Sequence, residues 1–262
     1  STRSLQEARE ATGGEGYRWS SRIAHRKADA DIFTTFEGDN TVLMLQVAKG
    51  LLSAYQKEFS DLNVAGIVRF LRDLADGKLG EVNPVLRRNA DPEHLLDPEW
   101  HRQLFERRER QLLVSAAARL KGRIDNGNDS FDAFVDVQDH LITLARAHGE
   151  ALVLKSFQSA VERTEDEQLK NVLSLQCALY ALSRLEEDRA WFLEQNLFEA
   201  NVAKAIRTEV NALLKRLRPI CVEMVDAFGI PDALLGSDIA NAMDGPEAPA
   251  DVPAVQPETQ QP

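Results

Sequence analysis

Four stretches decide the fold: Glu99–Ile124 (EWHRQLFERRERQLLVSAAARLKGRI), Ser130–Thr164, Asp166–Arg189 (DEQLKNVLSLQCALYALSRLEEDR) and Glu199–Ala227. Each repeats its apolar residues every three to four positions, the spacing of a helix with one buried face. Each is longer than the usual strand, and the breaks between them are short. Helices of this length joined by short loops predict an up-and-down bundle. Asp129-Ser130 and the run Thr164-Glu165-Asp166-Glu167 read as helix starts, with capping oxygens and early acidic residues. The second stretch is expected to break near His148-Gly149. The charged run Arg107-Arg108-Glu109-Arg110 reads as a solvated helix face.

Outward from this bundle, the pattern stays helical. A long helix is predicted from Thr41 through Val42, Leu45, Ala48, Leu52 and Tyr55 to Phe59, and a shorter one over Asn63–Asp76. Gly77–Pro98 is punctuated by Gly80, Pro84, Pro92 and Pro98 and reads as a linker. Near the start, a helical tail ends at Gly13-Gly14-Glu15-Gly16, and Tyr17–Asp31 is expected to be irregular. Ile32–Phe36, aromatic and β-branched, is expected to be extended. Asp244–Pro262 carries five prolines and almost no large apolar residue, the composition of a disordered tail. The fold class expected is all-α, with the domains 1–76, a linker 77–98, a second helical bundle 99–240 and a tail 241–262.

Composition narrows the function. The chain has 262 residues, 44% apolar and 28% charged, which fits a folded chain able to bury a core. Lys and Arg total 31 against 42 Asp and Glu, a net charge of −11, which argues against nucleic acid or an anionic membrane as partner. No apolar run reaches the ~20 residues of a membrane helix. Cys177 and Cys221 both read as reduced core residues. The five histidines show no ligand spacing, so no metal site is expected. The first residues suggest no signal peptide, and an opening inside a running helix without Met suggests a piece of a longer protein.

The candidate chemistry sits in Thr35-Phe36-Glu37-Gly38-Asp39-Asn40-Thr41. A carboxylate there precedes the first turn of a long helix, beside Phe33 and Phe36. A base for a weakly acidic C–H proton needs desolvation to raise its pKa against the lowering effect of the helix end. The plainer reading is a helix cap, with Asp39 or Asn40 as N-cap and Glu37 on the surface. Composition alone favours the cap. The basic stretch Arg18, Arg22, His25, Arg26, Lys27 could meet phosphates or a partner subunit, or pair internally with Asp29 and Asp31.

The wording of two segments resembles the acyl-CoA oxidases of the acyl-CoA dehydrogenase superfamily. One runs Arg9-Glu10-Ala11-Thr12-Gly13-Gly14-Glu15-Gly16-Tyr17 and on through Asp29–Leu43, similar to the end of the first C-terminal helical domain. The other is Arg218-Pro219, Val225–Phe228, Pro231-Asp232 and Leu234-Leu235, similar to the close of the oxidases' extra helical domain. The resemblance implies oxidation of a fatty acyl-CoA to its trans-2-enoyl-CoA, with Glu37 removing the α-proton and FAD accepting a hydride. It implies Phe36 lining the acyl pocket and Gly38 making room for the thioester. It places Asp39 and Asn40 near the flavin and its diphosphate, and Glu10, Gly13 and Gly14 at the adenosine end of FAD across a homodimer interface. Dioxygen would reoxidise the flavin to give hydrogen peroxide. The family's N-terminal and β-domains have no counterpart here, so the chain alone is expected to bind FAD weakly and to show no turnover. Two alternatives stand beside this: a dehydrogenase using an electron-transfer flavoprotein, and a non-catalytic helical dimerisation or scaffolding module. The ending Gln260-Gln261-Pro262 is no peroxisomal address, so a bacterial cytoplasm is expected.

Overall fold

In the computed structural model the described residues are 2–60, 87–237 and 239. The helix expected over Asn63–Asp76, residues 77–86 of the linker and the tail 241–262 lie outside the described residues. Among the described residues every regular element is helical. The main α-helices are α1 (Thr2–Ala11), α2 (Ile23–Ile32), α3 (Asn40–Ser60), α4 (Pro92–Leu95), α5 (Pro98–Asp125), α6 (Ser130–Val135), α7 (Gln138–Arg163), α8 (Glu167–Glu187), α9 (Arg189–Glu194), α10 (Ala200–Leu217), α11 (Cys221–Asp226) and α12 (Asp232–Leu235). Short 3₁₀ turns cover Gly13–Tyr17, Trp19–Ser21 and Arg218–Ile220.

The chain forms two compact units. One joins Ser1–Asp39 to Val225–Pro262, and the other is Asn40–Met224. The second unit is the bundle. Its helices begin where the sequence supplies caps: the Asp97 carboxylate accepts from the Glu99 N–H at 2.9 Å, Asp129 from Phe131 at 2.8 Å and Asp166 from Leu169 at 2.8 Å. Pro98 and Pro92 take first-turn positions, where a missing N–H costs nothing. Helices α5 and α7 pack together, as do α8 and α10, and α3 lies on α7.

Two apolar cores fill the bundle. The larger gathers Leu104, Leu154, Leu182, Phe192, Phe198 and Ile206 with their neighbours, and Phe192 stacks on Phe198 at 5.5 Å. The smaller joins Ala48 of α3 to Leu112 and Ala116 of α5 and to Leu141 and Leu144 of α7. Each fully buried Leu or Phe contributes on the order of 2 kcal/mol of transfer free energy.

The structure departs from the sequence expectations in five places. Helix α7 runs unbroken through His148-Gly149, and the break falls earlier, between Val135 and Gln138. A lone helical glycine costs only ~1 kcal/mol relative to Ala, less than α7 gains by packing. The run around Arg108 is not a solvated face. Arg108 is 4% exposed, with Nη1 2.7 Å from Glu150 and Nη2 2.8 Å from Asp188, so one buried guanidinium ties α5 to α7 and to the α8–α9 junction. Burial raises the Glu150 carboxyl pKa, opposed by Arg108. Cys177 is buried, its thiol pushed up to about 11 by desolvation, whereas Cys221 is exposed rather than in the core.

The other two departures lie in the first unit. Residues 17–31 are ordered into the turn Trp19–Ser21 and helix α2, not irregular. Ile32–Phe36 is not extended. Ile32 ends α2, and i→i+3 and i→i+4 bonds carry the chain round, Thr35 N–H to Ile32 O and Phe36 N–H to Ile32 O. β-Propensity acts through cross-strand neighbours, and among the described residues there is no strand to pair with.

Candidate functional site

The glycine turn is built on α1. Thr12 Oγ1 donates to the Ala8 and Arg9 carbonyls at 3.2 and 3.0 Å, closing the helix end. Gly13 then takes φ +60°, the left-handed conformation that stops a helix at little cost for glycine. The Arg9 guanidinium lies 4.2 Å over the Tyr17 ring and clasps the turn from outside. The glycine that sterics require is one the sequence reading did not select. Gly16 is buried, and a Cβ there would stand 2.2 Å from the Arg9 carbonyl oxygen. Gly13 and Gly14 are exposed and face open space. The signal for Gly16 was present in the Gly-Gly-x-Gly-Tyr spacing, but only the closeness of α1 separates its role from that of its neighbours.

Glu37 follows the coil of turns after α2. The N–H groups of Phe33, Thr34, Thr35, Phe36 and Gly38 are all taken by carbonyls three or four residues earlier. That of Glu37 donates to none among the described residues. Gly38 has φ +120°, a conformation that side-chain-bearing residues avoid, so the residue after the glutamate is fixed by backbone geometry. Asn40 then opens α3, with Asp39 just before its first residue.

Glu37 and Phe36 are both exposed, Phe36 at 69%. Phe33 meets Phe36 edge-on at 6.2 Å, so the apolar wall expected beside the carboxylate is present, open to solvent. Glu10, Gly13, Gly14, Gly38 and Asp39 belong to the same unit as Glu37, and Asn40 is the first residue of the other. Two large cavities lie in the bundle and are lined by other residues, one of about 750 Å³ by Tyr180, Leu214 and Cys221, another of about 780 Å³ by Leu52, Leu120 and Phe134. Among the described residues no group of His, Cys, Asp and Glu could hold a metal ion, and no helix is long and apolar enough to cross a membrane.

The residues proposed for FAD fit part of such a group. Glu10, held by the Gln6 amide at 2.6 Å, is an acceptor suited to ribose hydroxyls, and Gly13 and Gly14 offer bare backbone at the surface. Asp39 and Asn40 add a carboxylate and an amide. The set contains no cation, so a diphosphate would need its charge met elsewhere.

The acyl-CoA oxidase family model matches residues 97–245, and the acyl-CoA oxidase C-alpha1 domain model matches residues 1–52. A peroxisomal acyl-coenzyme A oxidase 2 from Arabidopsis thaliana is 37% identical over 242 residues, covering 92% of this chain and 35% of that protein. The solved acyl-CoA oxidase 1 of Arabidopsis thaliana superposes with a TM-score of 0.75 at 26% identity, over 91% of this chain and 35% of that one. An acyl-CoA oxidase-1 from Caenorhabditis elegans, complexed with FAD and ATP, shares the fold at a TM-score of 0.74 and 22% identity, over 91% of this chain and 35% of that one. The chain thus spans about a third of the length of the curated relatives it matches. The expectation of a bacterial cytoplasmic protein is overturned, because those relatives are named as peroxisomal and come from plants and animals. The residues Gln260-Gln261-Pro262, from which that expectation was drawn, are no guide to the compartment. With 149 of its 262 residues in one family model and its first 52 in that family's companion domain, the chain belongs to the acyl-CoA oxidase family.

Proposed function

We propose that the chain is the C-terminal part of an FAD-dependent acyl-CoA oxidase, and that Glu37 is its base. The observation that carries this reading is the turn at Glu37: the N–H groups of Phe36 and Gly38 on either side are spent on the turn, and that of Glu37 is left to a ligand. The α-proton of an acyl thioester is acidic because the carbonyl oxygen takes up the charge left behind. The Glu37 N–H donates to that oxygen as charge develops, where it stabilises the transition state more than the ground state. The Glu37 carboxylate takes the α-proton. Phe36 lines the acyl chain, and Gly38, with no side chain, leaves the thioester room.

Glu10, Gly13 and Gly14 hold the adenosine end of the cofactor across a homodimer interface, and Asp39 and Asn40 lie toward its flavin and diphosphate. Bound FAD would supply the hydride acceptor and hand its electrons to dioxygen, giving hydrogen peroxide. The rest of the cofactor and the CoA are held by N-terminal and β-domains outside this chain, so the chain alone binds FAD weakly and does not turn over. Those domains also supply the desolvation that Glu37 needs as a base and that its exposure here does not give it.

The test is Glu37→Gln in the full-length protein. Acyl-CoA oxidation should fall by about 10² to 10⁴ while the circular dichroism spectrum is unchanged. Unaltered turnover would return Glu37 to the role of a surface residue and the chain to a scaffolding module. Peroxide release in air, set against reduction of an electron-transfer flavoprotein, separates oxidase from dehydrogenase.

A further inference from the structure

One cavity belongs wholly to the unit that carries Glu37. It measures about 320 Å³ and is lined by Arg22, His25, Arg26 and Asp29 of α2 and its entry, with Leu234, Leu235 and Gly236 as the opposite wall. Two hydrogen bonds set that wall in place across more than 200 residues of sequence. Arg22 Nε donates to the Gly236 carbonyl at 3.0 Å, and Ser237 Oγ donates to the Ser21 carbonyl at 2.8 Å. Ser21 is itself buried.

The polar groups left facing the cavity are mostly donors. Arg22 Nη1 lies 3.4 Å from His25 Nδ1. A guanidinium can only donate, so Nδ1 accepts and the ring's hydrogen sits on Nε2, its remaining polar atom. Trp19 packs against the same ring at 3.9 Å and fixes its plane. Arg26, one helical turn from Arg22, is exposed, and its side chain has no hydrogen-bond or ion-pair partner among the described residues. Its neighbour Lys27 does pair, with Asp31 at 2.9 Å, so helix spacing permits such pairs here and Arg26 and Asp29 simply do not make one. No side chain caps the start of α2, whose dipole adds to the positive field. In a chain of net charge −11, this places two guanidinium groups at one cavity, and that of Arg26 is unpaired among the described residues.

We propose that this cavity binds a phosphoryl group, free or carried on an ester. Two guanidinium groups and an imidazole N–H match the several acceptor oxygens of a phosphate, and the Leu234–Leu235 side accepts the organic body of an ester. Asp29 opposes the anion and accepts from any hydroxyl that comes with it. The site is separate from the base at Glu37 and does not depend on that reading.

The experiment is calorimetric titration of the FAD-loaded full-length protein at constant ionic strength, with inorganic phosphate in one arm and phenyl phosphate in the other. Phosphate can also meet cofactor or substrate sites, so the variants locate the binding. Arg26→Gln should weaken the saturable event by about tenfold or more, with an unchanged melting temperature, since the side chain is exposed. Asp29→Asn should tighten it severalfold. Binding of phenyl phosphate at least as tight as that of phosphate assigns the site to esters, and binding of phosphate alone assigns it to the free ion. The proposal is overturned if neither anion binds, or if both substitutions leave every binding constant where it was.

Discussion

Leu182 and Phe33 are both large apolar side chains, and they live in opposite surroundings. Leu182 is fully buried among α8, α10 and their neighbours, and Phe33 is 73% exposed. The contrast holds across the two units. Asn40–Met224 has two cores and a buried ion triad. In Ser1–Asp39 with Val225–Pro262, the described residues that are buried are Gly16 and Ser21, while Tyr17, Trp19, Phe33, Phe36 and Phe228 stand open. Exposed aromatics in that number are the mark of a surface meant to be covered. The bundle is therefore built to hold itself up. The unit with the motif residues leaves most of its large apolar side chains exposed.

The comparison breaks first, if it breaks, at Arg108. Arg108→Ala would leave the Glu150 and Asp188 carboxylates in a poorly solvated place without their cation. The bundle should lose about 3–5 kcal/mol, read from urea unfolding of this chain. A loss under 1 kcal/mol would mean that the triad is solvated after all and that the bundle stands on its apolar cores alone. A smaller and more pointed contrast pairs Leu182→Ala with Phe33→Ala. The first opens a cavity in the larger core and should cost about 3 kcal/mol. The second removes an exposed ring and should stay within about 0.5 kcal/mol. Equal costs would show that Phe33 packs in solution and that the first unit has a core of its own.

What the sequence made legible follows the same division. Helix starts were readable at Asp129 and Asp166, because a cap is a bond between residues two or three apart. The long helix from Thr41 was readable from its period alone. Arg108 was misread because its partners lie 42 and 80 positions away, and a run of alternating charges looks the same whether it faces water or another helix. Ile32–Phe36 was misread because aromatic and β-branched residues declare a preference that only a neighbouring strand can satisfy. At the candidate site the words of the motif pointed to Glu37. They did not reveal that Gly38 is held at positive φ or that a side chain at Gly16 would meet the Arg9 carbonyl, since both facts depend on how the backbone returns past itself.

Acid sharpens the comparison last, through His101. This ring is 1% exposed, donates from Nε2 to the Leu95 carbonyl at 2.7 Å, and sits against Trp100. Desolvation is the leading cause that lowers its pKa to about 4 from 6.5, against the opposing pull of the Leu95 carbonyl and Asp97. The unfolded chain therefore takes up a proton near pH 6.5 that the folded bundle refuses until about pH 4. Stability is fully present above pH 6.5 and drains away as the pH falls between those values. At pH 5 the deficit from this one residue should be about 2 kcal/mol. His101→Gln retains an N–H for Leu95 and cannot titrate, so its urea midpoint should fall less between pH 7 and pH 5 than that of the parent, by that margin. Parallel declines in the two proteins would place the acid weakness elsewhere. The bundle would then owe its independence to groups other than the buried ring that joins α5 to the end of α4.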